Sequence, residues 1–92
     1  MITDKEKNVI VETARKYHVK QVLLFGSNLE ASPEANDIDL AVEGIPPEHF
    51  FRFYGELLFG LDKPVDLIDL SVPGRFTDIV KKEGIRLYGD AA

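Results

Sequence analysis

A layered α/β (α+β) fold, one small sheet with flanking helices, is what this 92-residue sequence predicts. Short apolar runs of strand length alternate with longer segments in which apolar residues recur every three or four positions. Their order is helix, strand, strand, helix, strand, helix, with a short apolar stretch after the last, an order that layers helices on a sheet. Gly26, Gly44, Pro46, Pro64 and Pro73 mark boundaries between them. At this length a single domain over residues 1–92 is expected, with no linker, internal repeat or low-complexity segment.

Thr3-Asp4-Lys5-Glu6 has the form of a capping box, in which Thr and the Glu three residues on satisfy backbone amides reciprocally. Val9, Ile10, Ala14 and Tyr17 follow at helical spacing, so the first helix ends near Tyr17. Gln21-Val22-Leu23-Leu24-Phe25 is a continuous apolar run and reads as a strand covered on both faces. It stops at Gly26-Ser27, and Asn28 to Asn36 reads as a turn with one helical turn at most. Asp37 to Val42 alternates with period two, placing Asp37, Asp39 and Ala41 on one face and Ile38, Leu40 and Val42 on the other. Pro47 suits the first turn of a new helix, where a missing N–H costs nothing. Phe50, Phe53, Tyr54, Leu57, Leu58 and Leu61 form its apolar stripe, and Pro64 forbids continuation. Val65 to Leu70 is a third strand, Phe76 to Lys82 a last helix, and Ile85 to Tyr88 a short terminal strand.

Phe51 and Phe59 fall off that stripe, so the second helix is apolar over much of its circumference. A thick helix–sheet core and an interaction surface both fit this pattern. His18 follows the first helix and His49 opens the second; neither is assigned a role.

The chain carries a net charge of −5 with pI near 4.9, and its only basic run is Lys81-Lys82. Binding to nucleic acid needs a basic face that releases counterions, so a nucleic-acid template is not expected as the main partner. A divalent cation or a basic protein suits the acidic surface better. There are no cysteines, which excludes a disulfide staple, a thiolate zinc site and a cysteine nucleophile, and fits a cytoplasmic setting. The N-terminus shows no apolar signal core, and no apolar run approaches the roughly 18–20 residues of a membrane span.

Aspartate is depleted in strands, and burying an unpaired carboxylate is costly. Asp37 and Asp39 nevertheless share a face of one strand, and Asp66 sits near the start of the next. If those strands are neighbours, the three carboxylates meet at one edge of the sheet. Such a hard oxygen set suits Mg²⁺, and two ions about 3.5–4 Å apart can clamp the attacking and leaving oxygens of a phosphoryl transfer. Asp69 lies on the face opposite Asp66 and reads as structural or solvated. Gly26-Ser27 lies directly after the first strand, where glycine permits close approach and the following amides and the Ser hydroxyl can donate to phosphate oxygens.

Gly26-Ser27, a nine-residue spacer, Asp37-Ile38-Asp39-Leu40, then Val65-Asp66-Leu67-Ile68 together resemble the minimal nucleotidyltransferases of the DNA polymerase beta-like superfamily. Glu83-Gly84-Ile85-Arg86-Leu87-Tyr88 resembles the family's closing segment, so the likeness covers nearly the whole chain. The resemblance implies a nucleotidyltransferase fold with a small mixed sheet. It also implies Asp37, Asp39 and Asp66 as catalytic and metal-binding residues, Asp66 activating the acceptor hydroxyl, and Gly26 and Ser27 as the nucleotide-binding turn. The implied reaction moves a nucleoside monophosphate, AMP from ATP in the first instance, from a nucleoside triphosphate to a hydroxyl with Mg²⁺ as cofactor. Small prokaryotic relatives pair with a helical HEPN protein as antitoxin and toxin, and some adenylylate a tyrosine of that partner. Where relatives carry a small residue, Arg and Gly after Gly-Ser, this chain has Leu29, Glu30 and Ala31. Lys63, Arg75, Lys82 and Arg86 are then the candidates for positive charge near the phosphates.

The expected function is a Mg-dependent nucleotidyltransferase acting on a partner protein as the antitoxin of a toxin–antitoxin pair. The domain is too small for a separate acceptor pocket, so an acceptor supplied by a partner or a second subunit fits. A homo-oligomer through the aromatic helix is a further expectation. The second reading, which Glu30 and the surplus aromatics favour, is a module of the same fold that masks a partner by contact alone.

Overall fold

The computed structural model describes residues 2–26 and 37–89. Helix α1 (Asp4–Lys16) opens with the capping box: the Glu6 amide donates to Thr3 Oγ1 at 3.1 Å and the Thr3 amide to Glu6 Oε1 at 2.8 Å. Tyr17 caps its C-terminus, and His18 follows with φ 53°, the left-handed conformation common just past helix ends. Strand β1 (Gln21–Phe25) leads, through the segment from 27 to 36 outside the described residues, to β2 (Ile38–Glu43). Helix α2 (Pro47–Gly60) starts on its proline, and β3 (Val65–Asp69), α3 (Arg75–Glu83) and β4 (Ile85–Gly89) follow.

The four strands form one mixed sheet in the order β3-β2-β1-β4. β1 pairs antiparallel with both β2 and β4, with a bulge between Val22 and Leu23 on the β4 side. β2 and β3 are parallel. Parallel neighbours need a crossover connection, and α2 supplies it.

Helices cover both faces. On one, Ile10 and Ala14 of α1 and Phe53 and Leu57 of α2 pack on Val22, Leu24, Ile38, Leu40 and Val42. On the other, Val80 of α3 packs on Leu23, Ala41 and Leu70. The predicted alternation in β2 is therefore observed. So is the double covering of β1, whose Val22, Leu23 and Leu24 are all buried. Leu58, placed on the α2 stripe by spacing, instead turns outward and is 43% exposed, because the stripe seats on only one side of the sheet.

α1 and α2 are joined at their polar edges. Glu56 accepts from Lys16 Nζ at 2.8 Å and from the Tyr17 hydroxyl, and the Tyr17 ring packs edge-on against Phe53 at 5.8 Å. These partners hold the Glu56 carboxyl below its ordinary value, the Lys16 hydrogen bond contributing most. Glu43 is lowered likewise, first by the Gln21 side-chain amide and then by Lys81 and Lys20 against the opposing effect of burial. At Glu6 burial pushes upward, but the Thr3 amide and Lys63 outweigh it. Carboxyls lowered on folding stabilise the native state above their unfolded value, and that contribution is lost as pH falls through the folded one. The thermal midpoint is expected to drop as pH falls below the ordinary carboxyl value of 4.5, and less steeply in Glu43→Gln. Midpoints followed from neutral pH downward check this; parallel curves for the two proteins would refute the role of Glu43.

Candidate nucleotide site

The site lies at the end of the sheet where β1 finishes and β2 and β3 begin. The Ile38 amide donates to the Pro64 carbonyl at 2.9 Å, aligning the first residues of the two parallel strands. The Tyr54 hydroxyl donates to the Val65 carbonyl at 2.8 Å, tying the start of β3 to α2. Asp39 and Asp66 are consequently register partners. Side chains of register partners on adjacent strands stand side by side on one face. Their face is the α3 side, because their neighbours Ile38, Leu40 and Val65 point into the α1–α2 core. Asp37 lies one residue before β2 and is exposed, Asp39 is half-buried and Asp66 exposed.

Phe25 pairs with Asp39 across β1 and β2, which brings the following Gly26 over the Asp39 side chain. Gly26 has φ 76°, and a β-carbon there would collide with the Asp39 carboxylate and lie 3.0 Å from its Cγ. Only glycine meets both demands, the left-handed backbone and the close approach. Ser27, Glu30 and the turn up to Asn36 fall outside the described residues.

Among the described residues, no group of three or more His, Cys, Asp or Glu side chains is gathered so as to hold a metal ion by itself. That arrangement still suits Mg²⁺, which is ordinarily bound by one or two carboxylates together with waters and substrate phosphates rather than by an all-protein cage. Of the basic candidates, Lys63 pairs with Glu6 at 3.4 Å, and Arg86 lines a separate polar groove with Lys20, Glu43 and Lys81. Asp69 takes the structural part expected of it: its Oδ1 accepts from the Ser71 amide at 2.9 Å and from the Ser71 hydroxyl, closing the turn after β3. His49 stacks edge-on to Tyr17 at 6.1 Å. One feature escaped sequence reasoning: an apolar slot of about 210 Å³ beside Gly26, formed by Phe25 with Phe76, Ile79, Val80 and Glu83 of α3. Its only sequence signal was the aromatic directly before Gly26.

A mixed sheet with an in-register carboxylate pair and Gly26 closed over Asp39 fits one class, the nucleotidyltransferases. The profile of the family described as "Polymerase beta, Nucleotidyltransferase" matches residues 8–91, and the chain belongs to that family. No curated protein matches it in sequence. Among solved structures it is similar to a chain of a toxin–antitoxin complex with AMP-PNP: 27% identity, TM-score 0.75, covering 92% of this chain and 74% of that one. It is similar to a chain of the tri-AMPylated Shewanella oneidensis HEPN toxin in complex with MNT antitoxin, at 26% identity and TM-score 0.70, covering 92% and 71%. The MntA–HepT toxin–antitoxin complex, at 24% identity and TM-score 0.72 over 96% and 74%, shares the fold. The resemblance to the minimal nucleotidyltransferases of HEPN–MNT pairs therefore holds, as does the fold class. No helix among the described residues is long and apolar enough to cross a membrane.

Proposed function

We propose that this chain transfers a nucleoside monophosphate, AMP from ATP, to a hydroxyl of a HEPN-type partner protein, and acts as the antitoxin of that pair. The observation that carries the reading is the register of Asp39 against Asp66 on parallel strands, with Gly26 closed down over Asp39. The AMPylated toxin of one structural relative supports the choice of nucleotide and acceptor.

In this reading Asp37, Asp39 and Asp66 hold Mg²⁺, one ion or two. Mg²⁺ held there would supply charge neutralisation and Lewis acidity toward the triphosphate. Gly26 and Ser27 seat the phosphates through backbone amides and the Ser hydroxyl. Asp66, exposed at the start of β3, takes the proton of the acceptor hydroxyl. A new bond joins the acceptor oxygen to the α-phosphorus, the bond from that phosphorus to the bridging oxygen breaks, and pyrophosphate leaves.

The test is calorimetric titration with ATP, GTP, CTP and UTP, with and without Mg²⁺, of the wild type and of the double variant Asp37→Asn, Asp39→Asn. Mg-dependent binding that disappears in a folded double variant is the expected result, along with loss of transfer to the partner by about a hundredfold or more. Nucleotide binding that survives unchanged in the variant would sink the site assignment.

A specific observation favours an added contact role. Phe51 and Phe59 are 79% and 95% exposed on α2, beside an α1–α2 groove of about 570 Å³ that Phe59 helps to line. Exposed aromatics of this kind mark interaction surfaces. This face carries the partner contact in the proposed pair. Phe51→Ser with Phe59→Ser is expected to weaken partner binding at least tenfold and leave nucleotide binding intact. Unchanged co-purification with the partner would place the contact elsewhere.

A further inference from the structure

The α1–α2 face is one trough with two chemically different ends. The groove of about 570 Å³ and a second groove of about 550 Å³ share Tyr17 and Arg52, so one runs into the other. Val9, Phe59 and Gly60 wall the far end of the first. Lys16, His18, His49 and Arg52 line the second, and among the described residues no carboxylate does. The two helices run antiparallel beneath the trough, with Gly60 against Val9, Glu56 bonded to Lys16 and His49 against Tyr17.

The acids of the trough are already engaged. Glu12 pairs with Arg15 at 2.8 Å, and Glu56 accepts from Lys16 and from the Tyr17 hydroxyl. Among the described residues no ion pair involves Arg52, His18 or His49. A chain of net charge −5 thus keeps a cationic end whose Arg52 no described residue neutralises. The apolar end has a definite shape. Phe51, Gly55 and Phe59 follow one another four residues apart on α2, so they stand in one row. A β-carbon on Gly55 would meet nothing within 4 Å. Two exposed rings therefore flank a hole, the geometry that receives an apolar knob from a facing helix. α2 is 14 residues long, about 21 Å at the helical rise, which matches a facing helix of about four turns. An apolar row at one end and cations at the other suit an amphipathic polypeptide helix better than a phosphate backbone, which needs positive charge along its length.

Resting on the antitoxin reading, we propose that the trough receives one amphipathic helix of the HEPN-type partner. An apolar side chain of that helix seats over Gly55 between Phe51 and Phe59, and its acidic end lies against Arg52 and Lys16, with His18 and His49 as further donors. The trough is on the α1–α2 side of the sheet, whereas Asp39 and Asp66 face α3. The docked helix is therefore not the segment that presents the acceptor hydroxyl. Docking and transfer use separate surfaces, so masking of the partner does not depend on its modification.

The test is calorimetric titration of the HEPN-type protein of the same organism into wild type, Gly55→Leu, Arg52→Glu and Lys7→Glu, with thermal melts of each. Lys7 is exposed and outside both grooves, so Lys7→Glu makes the same charge change elsewhere. Gly55→Leu is expected to melt no lower than wild type, since glycine is a poor helix former, and yet to bind about tenfold or more weakly because the hole is filled. Arg52→Glu should weaken binding about tenfold and flatten its dependence on NaCl, and Lys7→Glu should leave the affinity within about twofold. Native affinity in both Gly55→Leu and Arg52→Glu overturns the proposal while leaving the antitoxin reading standing. Equal losses in Arg52→Glu and Lys7→Glu overturn the acidic end of the helix. Light scattering that shows the wild type alone as a dimer, split by Gly55→Leu, gives the trough to a second copy and overturns the partner helix. Weakened binding by folded Asp37→Asn, Asp39→Asn overturns the separation of docking from transfer. A wild type that does not bind the HEPN-type protein overturns the antitoxin reading and the docking surface together.

Discussion

Gly26→Ala is expected to eliminate Mg-nucleotide binding, by at least about a hundredfold, in a protein that still folds. The backbone contribution is modest: holding alanine in the left-handed conformation of Gly26, φ 76°, costs roughly 1–2 kcal/mol. The larger effect is local. The added β-carbon would meet the Asp39 carboxylate and lie 3.0 Å from its Cγ. Either Asp39 swings out of register with Asp66 or the β1 end lifts away from β2. Both disperse the carboxylate pair and the amides that would receive phosphate. Calorimetry with ATP and Mg²⁺ beside a thermal melt checks this. A Gly26→Ala variant that binds ATP with native affinity would show that the turn does not approach the ligand.

The second large effect is on stability. Phe53→Ala removes a ring that is fully buried at the centre of the α1–α2 side of the core and packs edge-on against Tyr17. Truncations of this kind cost about 3–5 kcal/mol. A chain of 92 residues has on the order of 5–14 kcal/mol in total at typical per-residue stabilities. The thermal midpoint should fall by roughly 12–40 °C, since each kcal/mol shifts it by about 4–8 °C at this size. Phe51→Ala, two positions away on the same helix but 79% exposed, should change stability by no more than about 0.5 kcal/mol. Similar losses in both variants would mean that Phe51 is covered in solution.

The contrast between Phe53 and Phe51 also shows where periodicity stops. Spacing identified the α2 stripe and set Phe51 and Phe59 apart from it. It could not choose between a thick core and an open surface, because the width of sheet under α2 depends on strand order. With α1 packed alongside α2 on the same face, the sheet offers room for Phe53 and Leu57 and none for Phe59 or Leu58. α3 behaves similarly. Its apolar residues were legible, yet only Val80 reaches the core, and Phe76 and Ile79 are left beside Gly26.

By itself the sequence determined the elements, because helix and strand periods, the Thr3 capping box, Pro47 and Pro64 are local signals that act within a few residues. It also determined that Asp39 faces away from the α1–α2 core that holds Ile38, Leu40 and Val42, since alternation in a strand follows from backbone geometry alone. Only the tertiary structure decided that β3 lies parallel beside β2 in the register that sets Asp66 against Asp39. That register comes from long-range contacts, the Ile38 amide on the Pro64 carbonyl and Tyr54 on the Val65 carbonyl. It likewise decided that α3 crosses back to wall a slot beside Gly26. Pairings between residues far apart in the chain depend on how whole elements pack, which no short window of sequence encodes.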